Sequence, residues 1–127
     1  MSRLRGAAAR SPTCLANNPP LSRTLCQMAM WVGMIEFDLR LGDVHSLKDK
    51  RSVLRPLIAD VRRKFAISVA EVDHLDLHRR AGLGVALVSS ERSHVVEVLD
   101  AVERLVAYRP EVELLSARRT LAHPAVD

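Results

Sequence analysis

"HSLKDKRSVLRPL", residues 45 to 57, sets His45, Lys48, Lys50, Arg51 and Arg55 against one acid, Asp49. Basic side chains at that density hold phosphate oxygens through charge-assisted hydrogen bonds, and the free amides at a helix start do the same. A second polar cluster, "DHLDLH", places Asp73, His74, Asp76 and His78 within six residues. Imidazole and carboxylate together hold zinc or manganese; His74, Asp76 and His78 share a face if the chain is extended, with Glu71 close by. Polar connections also collect such residues simply to form turns. The sequence has no Gly-rich phosphate loop, nucleophile elbow or two-cysteine pair, and its lone "GLG" lies inside a strand-like run. The expectation is therefore a non-catalytic protein without a cofactor. A metal-dependent activity at residues 71–78 is the enzymatic alternative.

A helix must carry the first cluster. Ser46 suits its N-cap, with Asp49 at the third helical position, and Leu47, Leu54, Ile58, Val61 and Phe65 recur as an apolar stripe. With Leu47 at zero and about 100° per residue, Arg51, Arg62, Arg55 and Lys48 fall at about 40°, 60°, 80° and 100°. They form a basic ridge beside the stripe. Residues 46–65 carry seven basic and two acidic side chains. Phosphate or partner contacts are therefore expected from Ser46, Lys48, Lys50, Arg51, Arg55 and Arg62, Ser46 and Lys48 cradling a phosphate at the helix start. The alternative is a solvated outer face whose long side chains cover apolar edges. Pro56 inside the helix predicts a kink or a new start.

The whole chain of 127 residues has a formal charge of +4. All of that excess lies in residues 1–29, which hold Arg3, Arg5, Arg10 and Arg23 and no acid, so residues 30–127 are neutral as a set. Any electrostatic footprint there must be local. Residues 1–29 contain Pro12, Pro19 and Pro20, lack periodicity and offer no apolar run for a signal or membrane segment. They read as a disordered leader, and Met28 or Met30 reads as the true start. Cys14 and Cys26 both lie there, too far apart for a zinc pair. With no disulfide to form, the single domain at 30–127 suits the cytoplasm.

The remaining elements follow from period. "WVGMIEFDLRL" (31–41) alternates as a half-buried strand, "AISVAEV" (66–72) alternates again, and "GLGVALVS" (82–89) is a compact apolar strand. Ser90 is a candidate cap for a second helix through Val95, Leu99, Val102 and Val106 that stops before Pro110. "VELLSARRTL" (112–121) closes the series as an edge strand. The order βαββαβ predicts an α+β, ferredoxin-like fold, a four-stranded antiparallel sheet with two helices on one face.

On the opposite face the first strand presents Val32, Met34, Glu36, Asp38 and Arg40, and the third presents Gly82, Gly84, Ala86 and Val88. Base stacking has no aromatic platform there. Two glycines on one outward face suggest close approach by another backbone, most simply that of a second subunit. A homodimer is therefore expected. A scaffold that uses this face and never touches nucleic acid is the second functional reading.

Three blocks, "HSLKDKR", "FAISVAEVDHLDL" and "RAGLGVALVSSERSHVVEVLD", stand in order over roughly Met30 to Leu121. In them the chain resembles the YlxP family, small bacterial proteins of unassigned function. The resemblance implies a ferredoxin-like fold. It also implies a genomic neighbourhood shared with ribosome-binding factor A and translation initiation factor 2, hence ribosomal RNA or a ribosomal subunit as partner. Glu71, Asp73, His74 and Asp76 match the family's positions, whereas His78 stands where an aromatic is more usual. No catalytic residues carry over.

Overall fold

The computed structural model describes residues 30–124. The expected leader and both cysteines lie outside them. Six elements follow in the predicted order: β1 (Trp31–Leu41), α1 (Leu47–Phe65), β2 (Ser68–Asp73), β3 (Arg80–Ser89), α2 (Arg92–Ala107) and β4 (Val112–Ala122). The strands form one antiparallel sheet in the order β2-β3-β1-β4, so both βα units cross over to the same face. This is the ferredoxin-like α+β arrangement.

Alternation along β1 sends Ile35, Phe37, Leu39 and Leu41 under the helices, where they meet Leu54, Leu57 and Val61 of α1 and Val95, Leu99, Val102 and Val106 of α2. Each such fully buried side chain contributes about 1.5–3 kcal/mol of transfer free energy. α2 sits so close to β1 that a Cβ built on Gly33 would lie 2.3 Å from Val95 Cγ1. A side chain there would push the helix off the sheet.

Three local expectations change. α1 runs unbroken through Pro56. The carbonyl of Ser52 loses its helical donor, but both residues lie on the exposed side, where water can serve that oxygen. Ser90 does not cap α2: β3 extends to Ser89, the cap position falls on Glu91, and the Ser89 hydroxyl accepts from the Glu91 N–H at 3.1 Å. The buried line of α1 is Lys50, Leu54, Leu57 and Val61, while Leu47 is exposed. That line lies about 50° from the predicted stripe, away from the basic ridge.

Candidate functional site

The start of α1 is closed by its own residues. Ser46 has extended backbone angles, and its Oγ accepts from the Asp49 N–H at 3.0 Å, while Asp49 Oδ2 accepts from the His45 N–H at 3.1 Å. This is a reciprocal cap, with the acid reaching one residue beyond its usual partner. The hydroxyl and amide that were to cradle a phosphate are engaged with each other, and a carboxylate occupies the positive end of the helix. Ser46 is thus the cap of α1.

Lys50 is the second correction. It was expected on the ligand-binding surface, yet it is 2% exposed. Its phase explains this, since it stands four, seven and eleven residues before Leu54, Leu57 and Val61. The ammonium donates to the carbonyls of His74 and Leu77, each at 2.7 Å, and lies 2.6 Å from Glu71 Oε2. The contact with Glu71 is an ion pair without hydrogen-bond alignment, so that buried oxygen has no aligned donor. A buried charge survives only with such partners. Lys50 therefore pins the turn between β2 and β3 to the helix.

The rest of the ridge is where the wheel put it. Lys48, Arg51 and Arg55 are exposed and surround a shallow hollow with Ser52 and Pro56. None of the three meets an acid among the described residues. Elsewhere five arginines are matched, Arg40 with Glu113, Arg80 with Asp38, Arg109 with Asp60, Arg118 with Glu36, and Arg119 with Asp100 and Glu103, whereas Arg79, Arg92 and Arg104 meet no acid among the described residues. Folding neutralises the arginines of the sheet face and leaves Arg51 and Arg55 of α1 unneutralised, while Arg63 on the other flank of the helix pairs with Asp60.

Arg62 shares the ridge's direction but has another task. Leu41 N donates to Arg79 O at 2.9 Å, which makes Leu41 and Arg79 a hydrogen-bonded pair and, counting back by twos, Ile35 and Val85 as well. Val85 thus points its amide groups at β1, so its other neighbour Val69 turns its own N–H and carbonyl to the free edge of β2. The Arg62 Nη2 donates to that carbonyl at 2.7 Å. An edge strand is a template for unwanted pairing, and this arginine occupies one of its acceptors. The contact also orients the ridge, which flanks the β2 edge. Asp60, on the opposite flank of α1, meets Arg109 beyond the end of α2.

The 71–78 cluster does not converge. Glu71 points to Lys50, His74 faces Asp38 with Nε2 3.6 Å from Oδ1, and Asp76 and His78 are exposed. No group of three or more metal-binding side chains forms among the described residues. His74 has a φ of 56°, which lets the chain turn and deliver its carbonyl to Lys50. Sequence reasoning missed the network this builds on the open face. Arg80 grips Asp38 with two nitrogens, Nε at 3.2 Å and Nη2 at 2.6 Å. Those bonds hold the Asp38 carboxyl below the usual carboxylate range, against the partial burial that raises it. Alternation had placed Asp38 on this face, but its partner lies forty-two residues away across the sheet.

The outward glycines also have an internal explanation. A Cβ on Gly82 would lie 2.6 Å from the Asp73 Cβ and 3.2 Å from its backbone, and one on Gly84 would lie 3.0 Å from Val72 Cγ1. The register of β2 slips between Glu71 and Asp73, and the resulting bulge presses on β3. The approaching backbone is the chain's own. Trp31 is not a stacking platform either, since its ring is met edge-on by His123 at 4.5 Å and by the Arg92 guanidinium at 5.8 Å.

Residues 32–119 match the family model described as "Protein of unknown function (DUF503)". The chain is 34% identical over 82 residues to the uncharacterised protein YlxP of Bacillus subtilis (strain 168), covering 65% of this chain and 89% of that protein. Among solved structures, one similar chain is LarC2 in its apo form, the C-terminal domain of a cyclometallase involved in synthesis of the NPN cofactor of lactate racemase. The identity is 14% and the TM-score 0.42, over 77% of this chain and 58% of that one. Among the described residues no helix is long and apolar enough to cross a membrane.

Proposed function

The chain belongs to the DUF503 family of proteins of unknown function, and from that premise we propose that it is a non-catalytic cytoplasmic module whose α1 ridge holds the phosphate backbone of RNA during ribosome assembly or translation. One observation carries this reading. Lys48, Arg51 and Arg55 are exposed and meet no acid among the described residues, whereas six of the other ten described arginines pair with one. Long cations left unneutralised by folding remain available to anions, and phosphates spaced along a strand match cations spaced along a helix. The three span about 10 Å of helix axis. Arg62 extends the line by another two turns while keeping its hold on β2.

Binding of this kind reads backbone and shape, so it carries no base code. Association with ribosomal subunits then weakens steeply as salt rises. Co-sedimentation of the full chain with purified subunits tests it, with a Lys48→Glu, Arg51→Glu, Arg55→Glu variant alongside. Binding that fades with salt and is lost in the variant supports the ridge. Binding indifferent to both would refute it.

A further inference from the structure

The sheet face opposite the helices is covered by nothing among the described residues. It carries Val88 at 61% exposure, Val72 at 49% and Met34 at 39%, around a floor of Ala70, Gly84 and Ala86. All of these but Val88 line a shallow trough of about 830 Å³. Contiguous apolar surface of this sort marks a place where another surface packs.

We propose that the occupant is a second copy of this chain, packed sheet to sheet about a two-fold axis. The charges around the trough select it. Three arginines border the open face, and each is matched within the chain, Arg118 with Glu36, Arg80 with Asp38, and Arg40 with Glu113, while Asp73 beside Gly82 adds a fourth acid. The border therefore holds no unmatched arginine. An RNA or an acidic peptide finds no free cation here, in contrast to the α1 ridge. A twin is complementary in charge, because the Glu36–Arg118 pair lining the trough can exchange partners across the axis.

Shape agrees with charge. A two-fold interface must be complementary to itself, and this face supplies both halves of the fit: projecting Met34 and Val88, and a floor of small side chains to receive them. Antiparallel sheets pack in this way about 10 Å apart, with their inner side chains interdigitated. The packing leaves both α1 ridges on the outside of the dimer. Nothing in it depends on the phosphate reading.

Sedimentation velocity on the full chain over a range of concentrations tests it. The expected result is a species of twice 14.1 kDa. Met34→Glu and Val88→Glu change exposed positions; each, with its fold checked by circular dichroism, weakens dimerisation about a hundredfold or more, and the triple ridge variant does not. A wild-type chain that stays monomeric up to about 100 µM overturns the proposal, a contact that weak lying far below stable dimers. So does a dimer that survives both face substitutions, because it would assemble elsewhere, for example along β4.

Discussion

At position 50 a lysine occupies a site whose neighbours in phase are Leu54, Leu57 and Val61. Removing its ammonium leaves the buried Oε2 of Glu71 and two part-buried carbonyls without their cation, the costly way to break such a pair. Lys50→Met should lower stability by about 3–5 kcal/mol in urea denaturation, and a loss under about 1 kcal/mol would contradict the pinning role. Asp38 gives a pH test. Its folded pKa is depressed by the Arg80 hydrogen bonds, so the stability it adds is complete above the unfolded value of about 3.9 and is lost as pH falls through the folded one. Asp38→Asn should therefore flatten the decline in melting temperature below about pH 4, and an unchanged acid limb would count against it. The two residues were unequally legible. The spacing of Lys50 to three core residues is local and legible although its charge points to the surface, whereas Arg80 reaches Asp38 only once β3 lies beside β1.

At the scale of the element, α1 shows what local sequence can settle. The Ser46 cap, the Asp49 position and the end at Phe65 were all readable, because capping and periodicity act within a few residues. Ser46→Ala should cost about 1 kcal/mol in thermal or chemical melts, with the fold unchanged. The other end is imperfect. Ala66 closes the helix at φ 53° and ψ 47°, donating its N–H to Arg62 O, in a conformation that suits glycine. Ala66→Gly should stabilise by about 1 kcal/mol, and a loss of stability would show that the left-handed turn is not strained. Pro56 and the outward glycines were harder to interpret. A proline on the solvent side of a packed helix breaks nothing that water cannot replace, and Gly82 and Gly84 answer to a bulge in another strand that no local pattern announces.

For the molecule as a whole, topology was legible in full: the element order, with right-handed crossovers, leaves one economical arrangement. Function was legible as a distribution of charge. Neutrality of residues 30–127 conceals two unlike surfaces, a sheet face whose arginines are matched and a helix ridge whose Lys48, Arg51 and Arg55 meet no acid among the described residues. The most direct test is the salt dependence of RNA affinity, measured by fluorescence anisotropy on a ribosomal RNA fragment with the full chain. Three phosphate contacts from Lys48, Arg51 and Arg55 predict that log K falls with log salt at a slope of about −2 to −3, and that the triple Glu variant loses both affinity and slope. An affinity that ignores salt, or survives the variant intact, would contradict the assignment of the ridge to phosphate binding.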